Sequence, residues 1–271
     1  MDFKTKEIQK RYEGYLATPN LWTGDVVFDL NQFELKPITQ KIDILIDEKI
    51  RLGKYVERFV SYQLSTIKEI DILGENIQIQ KDKRTTGEID CLITKNQQSI
   101  HLEIIYKFYL YDATVGKTEI EHFIGPNRKD ALIEKLNKLK EKQLPLLYTK
   151  EAKEYLWNTG LDYTKFKQQV LFKAQLFVSI SSRKIRLDLI NQDCIVGFYM
   201  NKEELKEFKT SKFYVPSKKD WLMKPHQKVN WLSYSKILRI VEEKLNTNFS
   251  PLLWIKHPKG KMYKCFIIWW S

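Results

Sequence analysis

The chain has 271 residues, of which 43% are hydrophobic and 13% aromatic, enough to bury a large core as one domain or two. Its 46 Lys and Arg against 34 Asp and Glu leave a formal charge of +12, which favours polyanionic partners through phosphate neutralisation without requiring one. The longest apolar run, Cys265 to Trp270, falls far short of the roughly 20 residues of a membrane span, and Met1 to Lys6 lacks a secretory h-region, so a soluble cytoplasmic protein without a membrane partner is expected. Cys91, Cys194 and Cys265 are odd in number and far apart, which argues for reduced core residues over disulfides or zinc; the four scattered histidines add no zinc spacing.

In chain order, residues 5 to 17 read as a short helix. Asn20 to Gly24 and Lys36-Pro37-Ile38 mark irregular segments around Val26 to Phe33. From Asp43 to about Thr66, apolar residues recur at helical spacing and predict one long or broken helix, weakened at Gly53. Ile77 to Gln80, Gly87 to Ile93 and Ser99 to Leu110 read as three strands, and Asp130 to Leu144 as a helix stopped by Pro145. Further strands are expected at Gln169 to Ile180, Cys194 to Met200, Leu252 to Lys256 and Met262 to Trp270, with an amphipathic helix at Ser233 to Leu245 and a hairpin loop at His257 to Lys261. These elements divide into residues 1–47 packing on a core, a core at 48–150, and a C-terminal α+β region at 151–271 that is a second unit or an extension of the first sheet.

Strand alternation puts Glu88 and Asp90 on one face of Gly87 to Ile93, and His101, Glu103, Ile105 and Lys107 on one face of the next strand. A tight hairpin with Asn96-Gln97 at its tip sets Asp90 directly opposite Glu103, with Cβ atoms about 4.5–5.5 Å apart. Opposed like charges destabilise a sheet unless something positive joins them, and Mg²⁺ or Mn²⁺ on carboxylate oxygens meets that need. The alternative is a wet strand face on which Glu103 pairs with Lys107; the apolar surroundings of Glu103 speak against it.

The helix carrying Glu57 in Leu52 to Phe59, then Gly87-Glu88-Ile89-Asp90, then Leu102 to Lys107, then a helix, resembles the PD-(D/E)XK nuclease superfamily. More closely, Arg84 to Asp90, His101-Leu102-Glu103 through Leu110, and Ile124 to Asn127 are similar to the bacterial family catalogued as domain of unknown function 1853. His226 to Ser233 extends that likeness into the C-terminal part. The superfamily resemblance implies a restriction-endonuclease-like α/β core, a central mixed sheet flanked by helices, with metal-dependent hydrolysis of DNA or RNA. It also implies roles: Asp90 as the metal-bridging acid, Glu103 as second ligand and Glu57 as accessory acid. The superfamily lysine stands two residues after the second acid, where this chain has Ile105. The first same-face lysine, Lys107, lies roughly 13 Å along an ideal strand from Glu103, within reach only of a long side chain or across a bulge.

Other candidates carry plainer alternatives: His101 for proton transfer or for structure, Gln143 as a polar site residue or a solvated helix Gln, and Gly125-Pro126-Asn127 as a phosphate-binding helix entry or a simple cap. The basic runs at 135–142 and 202–212 read as solvated helix faces, with Tyr and Trp nearby able to stack bases. The expected function is a metal-dependent nuclease using Asp90, Glu103 and Lys107. An inactive nucleic-acid-binding module or a protein-interaction protein are the alternatives.

Overall fold

The computed structural model describes residues 3–36, 41–182 and 184–270, without side chains for 3–5. The irregular segment expected at Pro37-Ile38 lies outside the described residues. The protein is an α/β protein whose nine strands form a mixed sheet. Helix α1 spans Phe3–Leu16 and α2 Leu52–Ser65; strands β1 (Ile70–Lys81), β2 (Arg84–Lys95) and β3 (Gln98–Tyr111) follow, then the short β4 (Phe123–Ile124). Next come α3 (Leu132–Lys138), α4 (Lys150–Asn158), β5 (Lys167–Ser179), β6 (Ile195–Met200), β7 (Lys212–Tyr214), α5 (Tyr234–Leu245), β8 (Leu252–Lys256) and β9 (Met262–Ile267).

The chain forms two compact units, each built from separate stretches of sequence. One compact unit comprises residues 1–19, 107–133 and 174–271, and a second comprises 20–106 and 134–173, because β3 and β5 each begin in the second unit and end in the first. The C-terminal strands therefore extend the same sheet. In the first unit, β5, β6 and β9 run parallel while β9, β8 and β7 pair antiparallel. Ile237 and Val241 of α5 close over Phe198, Leu253, Ile255, Cys265 and Ile267, each worth about 1.5–3 kcal/mol of burial for the larger side chains. All three cysteines are free and buried.

In the second unit, β1, β2 and β3 form an antiparallel meander. The β2–β3 turn has Asn96 and Gln97 both at positive φ (48° and 66°), the geometry that matches strand twist in a two-residue hairpin. Alternation along β2 sends Ile89 into a cluster with Leu146, Ala152 and Leu156, while Glu88 and Asp90 project to the α2 side. Gly87 belongs to the packed side: a Cβ there would stand 2.7 Å from Leu146 Cδ2.

Two predicted helices are reshaped. The 43–51 stretch is not helical, and Leu45 is fully exposed, so its apolar spacing has no core to face. Helix α2 starts only after an extended Arg51 and buries Tyr55, Val56, Phe59, Val60, Gln63 and Leu64 on one stripe. The helix expected over 130–144 is α-helical at Leu132–Lys138, widens into a π turn at Leu139–Gln143 and tightens to a 3₁₀ turn at Leu144–Tyr148, where Pro145 withholds its N–H. Helix α4 was not anticipated. No helix among the described residues is long and apolar enough to cross a membrane.

Candidate metal centre

Lys54 and Glu57 stand three residues apart on α2 and so share a side of the helix. That side faces Glu88 and Asp90 of β2. One carboxylate oxygen from each of Glu57, Glu88 and Asp90 lies within 4.8 Å of the others. The Lys54 ammonium sits among them, donating to Glu57 Oε2 at 2.8 Å, to Glu88 Oε1, and to Asn76 Oδ1 at 2.7 Å. Asn76 interrupts β1 between the pairs Glu75↔Cys91 and Ile77↔Ile89, opposite Asp90, and its left-handed φ of 52° is one Asn tolerates.

The β2–β3 ladder stops just short of Asp90. Its last pair is Cys91↔Leu102, so the register is the one that sets Asp90 against Glu103, but the strands part there. Asp90 Oδ2 instead accepts from the Ile104 N–H at 3.0 Å, a backbone donor the ladder leaves free. Glu103 is completely buried. Its Oε2 accepts from Gln143 Nε2 at 2.5 Å, and its Oε1 lies 3.1 Å from His101 Nε2. On the other side of the imidazole, Gln168 Nε2 donates to Nδ1 at 3.2 Å, so Nδ1 accepts and Nε2–H is the donor to Glu103. Lys135 of α3 completes the chain by donating to Gln143 Oε1 at 2.5 Å. The π turn is what brings Gln143 to Glu103, as such bulges often do at functional sites.

Burial drives the Asp90 carboxyl up to about 7, reinforced by the facing Glu103 charge and opposed by the Ile104 hydrogen bond. Burial also raises Glu57 despite Lys54. Burial works against the Lys54 charge, yet the hydrogen bonds it donates to Glu57 and Glu88, with the nearby carboxylate charges, outweigh it and raise its pKa. The surrounding carboxylates outnumber the cation. An all-oxygen set of this kind suits a hard divalent ion, and ligands about 2.1 Å from such an ion stand roughly 3–4 Å apart, a modest contraction of this cluster. Glu57, Glu88 and Asp90 could hold the ion, with Glu103 behind Asp90.

The structure thus gathers Glu57, Glu88, Asp90, His101, Glu103 and Gln143, but not Lys107. The Lys107 ammonium is 2.6 Å from Asp130 Oδ2, an ion pair within the other unit. Lys107, expected to act with Asp90 and Glu103, is held here in an ion pair with Asp130 and not among the gathered carboxylates. His101 and Gln143, each expected as either a site or a plainer residue, both hydrogen-bond Glu103. Gly125-Pro126-Asn127 does not enter a helix: Gly125 N–H binds Asp130 O, and Asn127 Oδ1 accepts from Ser250 N–H, so its donors and acceptors serve the fold. Four contributors were missed. Lys54 was visible only as a helix neighbour of Glu57, and the long-range pairings of Asn76, Lys135 and Gln168 leave no periodic signal.

No curated protein and no solved structure shows a significant match to the chain. A family model described as domain of unknown function, DUF1853, matches residues 12–264. The match covers both units and nearly the whole length, so the chain belongs to the DUF1853 family.

Proposed function

We propose that this protein is a metal-dependent nuclease of PD-(D/E)XK type, cleaving phosphodiester bonds of DNA or RNA at the α2–β2–β3 site. The observation that carries the reading is the convergence of Glu57, Glu88 and Asp90 beside the buried, hydrogen-bonded Glu103. The order helix, acid-bearing strand, acid-bearing strand, helix agrees with it, as does the charge of +12.

When bound, Mg²⁺ or Mn²⁺ supplies Lewis-acid polarisation of a phosphoryl oxygen and acidifies water. The chain's own residues do the rest. Asp90, anchored by the Ile104 N–H, fixes the inner edge of the site, and Glu57 and Glu88 close it from the helix side. Glu103 is aimed by two donors, so its carboxylate keeps its orientation as the charge near it changes. Lys54 is the cation nearest the reacting region and takes the place expected for Lys107 in orienting or neutralising charge.

The test is cleavage of mixed single- and double-stranded DNA and RNA with Mg²⁺ or Mn²⁺, by wild type and by Asp90→Ala. Cutting by wild type alone supports the reading; cutting that persists in the variant removes Asp90 from it. A second reading, a nucleic-acid-binding module that no longer cuts, draws on Lys54 already neutralising Glu57 and Glu88. It requires salt-dependent binding of nucleic acid with no cleavage under any divalent ion.

A further inference from the structure

A cleft of about 740 Å³ lies within the first unit and uses none of the carboxylates above. Its walls include Lys6 and Lys10 of α1, Tyr214 of β7, Trp254 of β8, and His226 and Lys228 from the segment between β7 and α5. The His226 to Ser233 stretch, which the carboxylate site leaves without a role, thus supplies one wall.

Two polar atoms on these walls lack partners. Trp254 is fully buried, and neither its Nε1 nor His226 Nδ1 has a hydrogen-bond partner among the described residues. The two rings meet nearly edge to face, with centroids 5.2 Å apart at 68°. The state of the imidazole follows from its neighbour. Lys10 Nζ lies 3.3 Å from His226 Nε2, and an ammonium only donates, so Nε2 accepts and the ring proton sits on Nδ1. Burial and the Lys10 charge hold the ring below its ordinary pKa, against the pull of Asp220. Both unpartnered atoms are therefore N–H donors, desolvated without an acceptor, an arrangement folded proteins seldom leave unexplained.

The lysines of the cleft are less engaged than its acids. The acids on the cleft are engaged elsewhere: Asp220 accepts from Arg11 Nε at 2.7 Å and from Ser217 Oγ at 2.7 Å, Glu7 pairs with Arg11 at 3.7 Å, and Glu13 accepts from Gln9 at 3.0 Å. Lys6 and Lys228 have no carboxylate within ion-pair distance among the described residues. What the cleft offers is unpartnered N–H donors and lysines without carboxylate partners, beside aromatic surface.

We propose that this cleft binds a phosphate monoester of nucleotide size, its oxygens accepting from Lys10, Lys228, Trp254 Nε1 and His226 Nδ1. The volume falls in the range of small-molecule sites. Both nitrogens are covered, so binding requires the His226 ring, carried on residues 224–231 that form neither helix nor strand, to shift and uncover them both. The phosphate belongs to a free nucleotide or to the 5′ end of a nucleic acid. This assignment stands apart from whether the carboxylate site cuts.

Titration calorimetry of the full chain with inorganic phosphate and with a nucleoside 5′-monophosphate tests it, alongside Lys10→Met, Lys228→Met and Trp254→Phe, each checked by circular dichroism. Saturable binding is expected, weakened about tenfold or more in each lysine variant and similarly in Trp254→Phe. Competition by a 5′-phosphorylated but not a 5′-hydroxyl oligonucleotide assigns the site to a nucleic-acid end; tighter binding of the free nucleotide than of either oligonucleotide assigns it to a nucleotide. No binding of phosphate or nucleotide at millimolar concentration overturns the proposal. So does equal affinity in the folded Lys10→Met and Lys228→Met proteins, which alter only cleft-lining lysines and do not depend on the tryptophan variant folding.

Discussion

Asp90 and Asp112 are both shielded aspartates tied to the same antiparallel strands, and the protein treats them in opposite ways. Asp112, just after β3, is given every partner it needs: the Thr114 N–H at 3.0 Å, the Thr114 hydroxyl at 2.6 Å and the Arg128 guanidinium at 2.7 Å. These outweigh burial and hold its carboxyl below the ordinary range. Asp90 has one backbone N–H and faces Glu103, and its carboxyl rises to about 7. Asp112 is surrounded by donors, whereas Asp90 has a single donor and lies beside other carboxylates. Such an arrangement costs stability unless a cation arrives, which is the physical case for a metal at the second acid group and against one at the first.

The sharpest way to break this comparison is Asp90→Asn. It keeps an oxygen for the Ile104 N–H but removes the charge, so metal-dependent cleavage should fall on the order of 10³-fold. Without metal, the same variant should be more stable than wild type. A carboxyl raised from about 3.9 to about 7 favours folding fully below its unfolded value; that contribution is lost as pH rises toward 7, and nothing further changes above. At pH 8 the gain should be roughly 1–3 kcal/mol by urea unfolding, shrinking to nothing at pH 4. Wild-type protein with Mn²⁺ should recover the difference, and Asp90→Asn should not respond to the ion. A variant less stable than wild type at pH 8 would mean that Asp90 is compensated as Asp112 is.

The converse test is Arg128→Met. Asp112 keeps Thr114 but loses its cation, and Arg128 also stacks on Trp270 with its guanidinium carbon 4.0 Å from the ring centre. A loss of about 1–2 kcal/mol is expected at pH 7, with no change in metal binding. Because the Asp112 pKa is lowered, its share of stability is present above the unfolded value near 4 and lost as pH falls through the folded value. The penalty for Arg128→Met should therefore narrow in acid, opposite in sign to the Asp90 effect.

How much of this was legible in the sequence depends on the range of the interaction. The β2–β3 register was, because period-two alternation and a two-residue turn at Asn96-Gln97 leave little freedom, and the observed pairs fall where that count puts them. The burial of Glu103 followed from its apolar neighbours. Lys54 was not legible as a partner of Glu88, since 34 residues separate them and only the packing of α2 on the sheet joins them. The π turn that delivers Gln143 was also missed, although the apolar spacing slips there, from Leu139 to Leu144, five residues on. Residues 43–51 misled in the other direction, with helical spacing but no surface to bury it against.

Lys54 is the point at which the two groups of acids converge in behaviour, because it does for Glu57 and Glu88 what Arg128 does for Asp112. If it stands in for the ion, removing it should ease metal entry. Lys54→Met is expected to bind Mn²⁺ about three- to tenfold more tightly by calorimetry while losing cleavage, a discounted figure for a pair 39% and 28% exposed. Weaker Mn²⁺ binding in a folded Lys54→Met protein would show that the lysine organises the carboxylates and does not compete for them.

The smallest expected effect belongs to Lys107, the residue that a superfamily reading would rank among the most important. Its ion pair with Asp130 is 35% and 42% exposed at its two ends, and exposed pairs contribute little after side-chain entropy and screening. Lys107→Met should therefore change stability by no more than about 0.5 kcal/mol at moderate salt and leave cleavage within about twofold of wild type. The measurement also separates two origins for the missing lysine. If cleavage survives Lys107→Met and fails in Lys54→Met, the ammonium has moved from the second strand to the first helix of the site. If Lys107→Met alone abolishes cleavage, the Asp130 pair must open when nucleic acid binds, and the lysine then acts from four residues beyond Glu103.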